Sequence, residues 1–298
     1  MINRTREGLI FAVSAFIMWG LLPIYWKTLK EVPPLELLCH RVVWSFFFLA
    51  VVLSFKKRWA EVITALQDRK VKILLAVSSS LIGVNWFVFI WSINNDHVVE
   101  ASLGYYINPL VNILLGFIFM KDKLNSMQGA AICCAFAGVL YSVIDLGKFP
   151  YIALTLAVSF ALYGLVRKVM RVESLPGLFI ETTVLIPLAG GYLIWLATEG
   201  NLSLGRIGGE ADALLLGAGV VTSIPLLCFA NGARRLKLMT LGMLQYISPT
   251  LMLLLGIFIY NEPFDNARLV TFCFIWTGIA IYLFDSIHRQ MKRPKGIA

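Results

Sequence analysis

The sequence predicts an all-α integral membrane protein, ten transmembrane helices arranged as a 5+5 inverted repeat. Three observations lead there. Hydrophobic residues make up 59% of the chain and charged residues 14%, with a mean hydropathy of +0.79. A soluble domain carries about 25% charge, so this chain is too apolar for a water-facing surface. The apolar residues run in stretches of about 18 to 24, close to the ~20 that a helix needs to cross the hydrocarbon core. And one apolar sentence is written twice. YYINPLVNILLGFIFMKD from 105 and QYISPTLMLLLGIFIYNE from 245 share Tyr, Ile, Pro, Leu, Leu and Gly at matching places, and each ends in an acid, Asp122 or Glu262.

Each span is bounded by a polar break. The first, 8–27, follows Arg4 and Arg6; it is too long for a signal-peptide core and no small-residue cleavage site follows it. The second, 34–54, runs from the Pro33–Pro34 pair to the basic tract at Lys56, and the third, 71–94, runs from that tract to Asn94 and Asn95. The fourth, 98–120, stops at Lys121, and the fifth, 125–144, stops at Asp145. The sixth, 150–170, carries its basic residues at its end, and the seventh, 176–197, stops before Glu199. The eighth, 211–232, meets Arg234 and Arg235; the ninth is 239–260 and the tenth 266–287. The connections are short, so a compact bundle without an added soluble domain is expected.

Lysine and arginine counts orient the bundle. With the N-terminus in the cytoplasm, the inside segments hold 20 basic residues and the outside segments 5, while Arg41 lies within span two. That bias places both termini in the cytoplasm. The formal charge of +9 is therefore a topology signal rather than a nucleic-acid surface. The repeat then acquires a meaning. The Pro109 and Pro249 spans are the fourth and ninth, and FIMWGL (16–21) in span one matches FALYGL (160–165) in span six. An odd, five-span unit enters the membrane from the opposite side in its second copy, giving halves at 1–145 and 146–298. Such inverted repeats recur among secondary transporters, with a site near the midplane where the halves meet.

With this frame in place, the chain resembles the EamA-type drug/metabolite transporter superfamily. Within it, GLIFAVSAFIMWGLLPIYWK (8–27), ELLCHRVVWS (36–45) and NWFVFIWSINN (85–95) look like the RarD group. The resemblance covers the whole chain. It implies a bacterial inner-membrane permease with a central cavity for small organic solutes, in a group named for chloramphenicol sensitivity.

Ionisable groups inside a span are costly, ~2.5–3.5 kcal/mol each on insertion scales, and so need a reason. Glu36, His40 and Arg41 in span two and Glu181 in span seven are the exceptions to a set that otherwise sits in loops or at span ends. Glu36 and His40 share a face, with Trp44 one turn on. An Arg41–Glu181 pair across the centre is one expectation. In a solute site, Arg41 would take an anionic or carbonyl group, and Glu181 or His40 a coupling proton. The structural alternative is a salt bridge that orders the bundle, with Glu36 snorkelling at the outer interface.

Ser102, Tyr105, Asn108 and Asn112 fall within about 120° of arc on span four. Gln245 and Ser248 belong to the equivalent face of span nine. These stripes suit the wall of a hydrated cavity or hydrogen bonds between helices. Pro109 and Pro249 weaken their helices at matching places and are candidate hinges. Asn85 and Trp86 on span three, and the repeat mates Trp19 and Tyr163, complete the substrate candidates; the aromatic rings either stack on a flat solute or simply pack.

Some chemistry is excluded. There is no G-x-x-x-x-G-K-[ST] loop for ATP, no H-E-x-x-H and no G-x-S-x-G. The five cysteines lie inside spans with no zinc spacing and serve as packing residues. No cofactor and no metal are expected. The partners are a small-molecule substrate and membrane lipid, with a proton as the coupling candidate; oligomeric state is not legible. The leading expectation is a permease acting by alternating access and exporting an amino-acid-like metabolite or amphiphilic drug. Uptake or facilitated exchange by the same fold, an intramembrane lipid-modifying enzyme using His40 and Glu181, and a structural scaffold remain as alternatives.

Overall fold

The computed structural model of the chain describes residues 2–95, 97–260 and 266–292, and Glu262 lies outside them. Among the described residues twelve helices build the bundle, and ten spans can be traced through them. Spans one and two are α1 (Ile2–Thr28) and α2 (Pro34–Phe55). Spans three, four and five are α4 (Arg69–Asn94), α5 (Val98–Met120) and α6 (Ser126–Leu146). Spans six, seven and eight are α7 (Tyr151–Val169), α8 (Ser174–Thr198) and α9 (Gly209–Arg235). Span nine is shared between α10 (Leu238–Gln245) and α11 (Ile247–Phe258), and span ten is α12 (Asn266–Lys292). Among the described residues, nine segments are long and apolar enough to cross a membrane, and Leu269–Asp285 within α12 is a shorter apolar stretch.

Local chemistry ends the helices where the polar breaks fall. Asp68 caps α4 by accepting from the backbone N–H of Lys70 at 2.8 Å. Asn125 and Gln128 form a reciprocal capping box at the start of α6. Gly147, at φ 70°, closes the same helix in a left-handed turn that a side chain would strain.

Two elements depart from the sequence expectation. The basic tract between spans two and three contains a helix, α3 (Trp59–Gln67), which packs on α8 through Val62 and Ala65 and leaves Ile63 and Leu66 exposed. Span nine is not one helix. It breaks at Tyr246, three residues before Pro249, whose missing N–H leaves the carbonyl of Gln245 without its helical donor. Span four carries the matching Pro109 and stays continuous.

The packing has the symmetry of the repeat. α1 lies on α9 as α7 lies on α4, and α5 lies on α7 as span nine lies on α1. α2 with α8, α5 with α10, and α6 with α12 pair as mates across the pseudo-axis. The repeat mates Tyr246 and Tyr106 touch there, the first donating its hydroxyl to the carbonyl of the second at 3.2 Å.

The core is unevenly distributed. Its largest buried cluster draws on the start of α1, the end of α2, α3, the start of α4 and of α8, and the end of α9. All of these lie at the end of the bundle where the chain begins and finishes, here called the terminal end. At the opposite end, here called the open end, the buried residues fall into smaller clusters, around Leu29, Val32 and Leu215, around Cys39, Val42 and Ala189, around Leu103, Ile107 and Ala153, and around Ala101 and Ile152. The densest packing is thus at the terminal end, here called the sealed end. There Arg234 grips Glu173 at 2.6 and 2.9 Å and holds that carboxyl below the usual carboxylate range.

Candidate functional site

Arg41 stands seven residues into α2 from the open end. Its Nε donates to Thr222 Oγ1 of α9 at 3.1 Å. Its guanidinium carbon lies 5.0 Å from the ring centre of Trp26 on α1 and 5.3 Å from that of Trp86 on α4, within cation–π range. The ionisable group that it senses is the Tyr105 phenol of α5. No carboxylate forms an ion pair or hydrogen bond with it among the described residues. Arg41 and Tyr105 are surrounded by protein on all sides yet keep accessible surface, 39% for Tyr105. Groups that are both deep and accessible line an internal chamber.

Four helices of the first half and one of the second thus meet at a single cation. Of the residues that the sequence nominated, Arg41, Trp86 and Tyr105 come together here. Trp26 and Thr222 were missed. Thr222 had a signal, the polar Thr222–Ser223 pair inside the apolar run of span eight, whereas Trp26 reads as an ordinary aromatic at a span end.

His40 is turned away from the chamber and is buried, as is Glu36. The indole N–H of Trp44 donates to His40 Nδ1 at 3.2 Å, so a neutral ring carries its proton on Nε2, which faces Glu36 Oε1 at 3.6 Å. Glu36 accepts from the backbone N–H and the hydroxyl of Ser203 at 2.7 and 2.8 Å. It does not snorkel. It ties α2 to the α8–α9 connection, and Glu36, His40 and Trp44 follow one another down a face of α2, with the hydrogen bond between Trp44 and His40 and a looser 3.6 Å contact between His40 and Glu36.

Glu181 does not meet Arg41. Its cation is Arg167 of its own half, at 3.3 Å, and Tyr163 donates to its other oxygen at 3.3 Å. Ser78 of α4 donates to the oxygen that Arg167 holds. Both Arg167 and Glu181 are 1% exposed. The inversion explains the separation. Arg41 and Glu181 each lie seven residues inside their helices, but α2 is entered from the open end and α8 from the terminal end. At ~1.5 Å per residue each sits about 10 Å in from a different face.

Tyr105 apart, Asn108, Asn112, Gln245 and Ser248 of the polar stripes are engaged in hydrogen bonds that join helices. Asn108 donates to the carbonyl of Ala157 at 2.7 Å, and Asn112 donates to Gln245 Oε1 at 2.8 Å and to Asn108 Oδ1 at 3.0 Å. Ser248 donates to the carbonyl of Phe16 at 2.7 Å. Asn85 donates to the Leu156 carbonyl and to Ser159 at 2.9 and 3.0 Å. Asn108, Asn112, Gln245 and Ser248 are buried. Trp19 and Tyr163 pack with Phe16, Phe160 and Phe229 in an aromatic cluster. Asn112→Ala would leave the Gln245 oxygen without its donor in the core. We expect it to cost about 1–3 kcal/mol of stability and to leave solute affinity unchanged, read by melting in detergent beside a binding titration.

The geometry defines a polytopic membrane bundle of inverted repeats with an accessible cation, Arg41, inside it. Comparison with known proteins gives the class its name: the chain belongs to the EamA-like transporter family, whose profile matches residues 6–144 and again 150–284. It is 48% identical to Protein RarD of Salmonella typhi, over 98% of this chain and 99% of that protein. It is 45% identical to an uncharacterized transporter of Vibrio cholerae, over 95% of this chain and 93% of that one. A solved crystal structure with 18% identity superposes at a TM-score of 0.72, covering 92% of this chain and 96% of its own, and shows the shared fold. The protein is a multi-pass membrane transporter of the drug/metabolite type.

Proposed function

We propose that the protein is a secondary transporter moving a small organic solute across the bacterial inner membrane by alternating access, with the Arg41 chamber as its solute site. The observation that carries this is Arg41 itself, a cation placed inside the bundle with accessible surface and, among the described residues, no carboxylate paired with it. A charge in that position is expensive, and a carried solute is what repays it. Amino-acid-like metabolites and amphiphilic drugs such as chloramphenicol fall within the size and chemistry of such a site.

The 20-to-5 distribution of basic residues supports cytoplasmic termini. The sealed terminal end is then the cytoplasmic side, and the chamber opens outward, the shape from which an exporter releases. Export is the direction we favour. The buried Glu181 and the Glu36–His40 line are the groups available to carry a coupling proton.

Counterflow in proteoliposomes tests the reading. Vesicles loaded with a solute that stabilises the purified protein should accumulate labelled solute from outside, and Arg41→Lys should weaken its affinity at least tenfold, because an ammonium keeps the charge but loses the planar fork. Equal affinity would return Arg41 to a structural role. A pH gradient that drives accumulation in wild type and fails in Glu181→Gln, with counterflow intact, would support proton coupling there. Accumulation undiminished in the variant would remove Glu181 from that role, and the sign of the gradient needed separates export from uptake.

A further inference from the structure

We infer that the chamber takes an organic monocarboxylate that bears a flat apolar group and no amino group. This deepens the proposed function and rests on the Arg41 chamber being the solute site. Three features lead to it. The first is the sign of the charge. An aromatic box of tryptophan and tyrosine is a common receptor for a solute cation, but here the guanidinium of Arg41 already stands at 5.0 and 5.3 Å from the two indole rings. The protein supplies its own cation, so an incoming cation meets repulsion and an anion meets attraction.

The second is the geometry of what is left. Only Nε of Arg41 is spent, on Thr222 at 3.1 Å. The fork of Nη1 and Nη2 has no partner among the described residues, and two parallel N–H groups match the two oxygens of a carboxylate. Trp26, Trp86 and the accessible Tyr105 ring beside the fork offer flat apolar surface to the body of the same molecule.

The third is what the chamber lacks. An α-amino acid also brings an ammonium, which needs acceptors or an anion when it leaves water. The nearest acid on the same helix, Glu36, is buried, accepts two hydrogen bonds from Ser203 and has His40 against it at 3.6 Å. Glu181 is held by Arg167, Ser78 and Tyr163 at the sealed end. The ring of His40 is closed off by Trp44 on one side and Glu36 on the other. Of the described polar groups placed at the cation, Tyr105 and Thr222 are left, and Thr222 already serves Arg41. A zwitterion would therefore satisfy its carboxylate and strand its ammonium.

An isosteric trio separates the possibilities on the purified full-length protein in detergent at neutral pH: 3-phenylpropionate (carboxylate alone), phenylalanine (zwitterion) and phenethylamine (cation). Binding by titration calorimetry and melting-temperature shift should rank phenylpropionate first, phenylalanine at least tenfold weaker, and phenethylamine without effect. Arg41→Lys should lower the phenylpropionate affinity at least tenfold, and Gly191→Ala, whose added Cβ meets nothing within 4 Å, serves as the control with its affinity kept. Should Arg41→Lys fail to fold, the ranking on the wild-type protein decides alone. Phenylalanine equal to or tighter than phenylpropionate overturns the inference, as does binding of phenethylamine or of none of the three. Counterflow keeps the two readings apart. Phenylalanine moved in preference to phenylpropionate would sink the solute class and leave the transporter reading standing. Phenylpropionate bound but never moved would keep the chamber's selectivity and sink the transporter reading.

Discussion

Arg167→Ala should destabilise the protein by about 3–5 kcal/mol, the cost of leaving one member of a buried ion pair uncompensated. Glu181 is 1% exposed, and without Arg167 it keeps only the hydroxyls of Ser78 and Tyr163. Arg167 also donates to the carbonyl of Ser174 at 3.0 Å, so the substitution loosens the entry of α8 as well. Replacing both charges, as in Arg167→Met with Glu181→Gln, should recover most of the loss, since an apolar or neutral pair removes the desolvation cost on both sides. Equilibrium unfolding in detergent with increasing dodecyl sulfate measures all of these. Wild-type stability in Arg167→Ala would mean that the pair does not form. A double variant as unstable as the single would shift the cause from charge to packing.

The second large effect belongs to Gly219→Ala. α9 approaches α2 so closely at this point that an added Cβ would overlap the backbone carbonyl of Trp44 and lie 2.5 Å from the N of Ser45. Backbone cannot turn aside as a side chain can, so the helices must part. The hydrogen bond from Ser45 to the Gly219 carbonyl, 3.2 Å, goes with them. Overpacking of this kind costs about 1–3 kcal/mol. It also acts on the chamber, because Thr222 lies one turn along α9 and holds Arg41. The expected result is a lower melting temperature together with weaker solute binding. Gly191→Ala is the comparator: a Cβ there meets nothing within 4 Å, and the change should be neutral or stabilising by up to ~1 kcal/mol. Gly219→Ala behaving like Gly191→Ala would mean that α2 and α9 are not in backbone contact.

Much of this architecture was legible because the membrane sets a length and forbids charge, and both leave marks in a linear sequence. What escaped depends on neighbours. Pro109 and Pro249 sit in matching text, yet only the second interrupts its span, so the local sequence could not say which would break. The helix α3 hid inside a tract read for its charge, although Trp59, Val62, Ile63 and Leu66 follow a helical spacing. Arg167 read as a loop cation because it falls at a span end. It is buried because Gly177 leaves room for it: a Cβ at that glycine would stand 3.2 Å from the guanidinium carbon. Arg41, Trp86 and Tyr105 were found as polar or aromatic exceptions in apolar runs. Pairing Arg41 with Glu181 failed because opposite charges at equal depths in inverted copies lie on opposite sides of the midplane. The stripe of Asn108 and Asn112 favoured a cavity wall in the sequence, with glue between helices as the alternative, and in the structure both side chains bond to neighbouring helices.

Tyr246 marks the joint in one copy, and its twin Tyr106 sits mid-helix in the other, the two clasped at 3.2 Å. A molecule made of inverted duplicates holds, in each half, a pattern for the posture its twin can take. On the alternating-access reading proposed above, passing the joint from Tyr246 to Tyr106 is the move that would exchange the sealed end for the open one, and both segments carry the proline three residues on that favours a joint. The opposite posture then needs no new fold, only a trade of roles between two halves that are spelled alike.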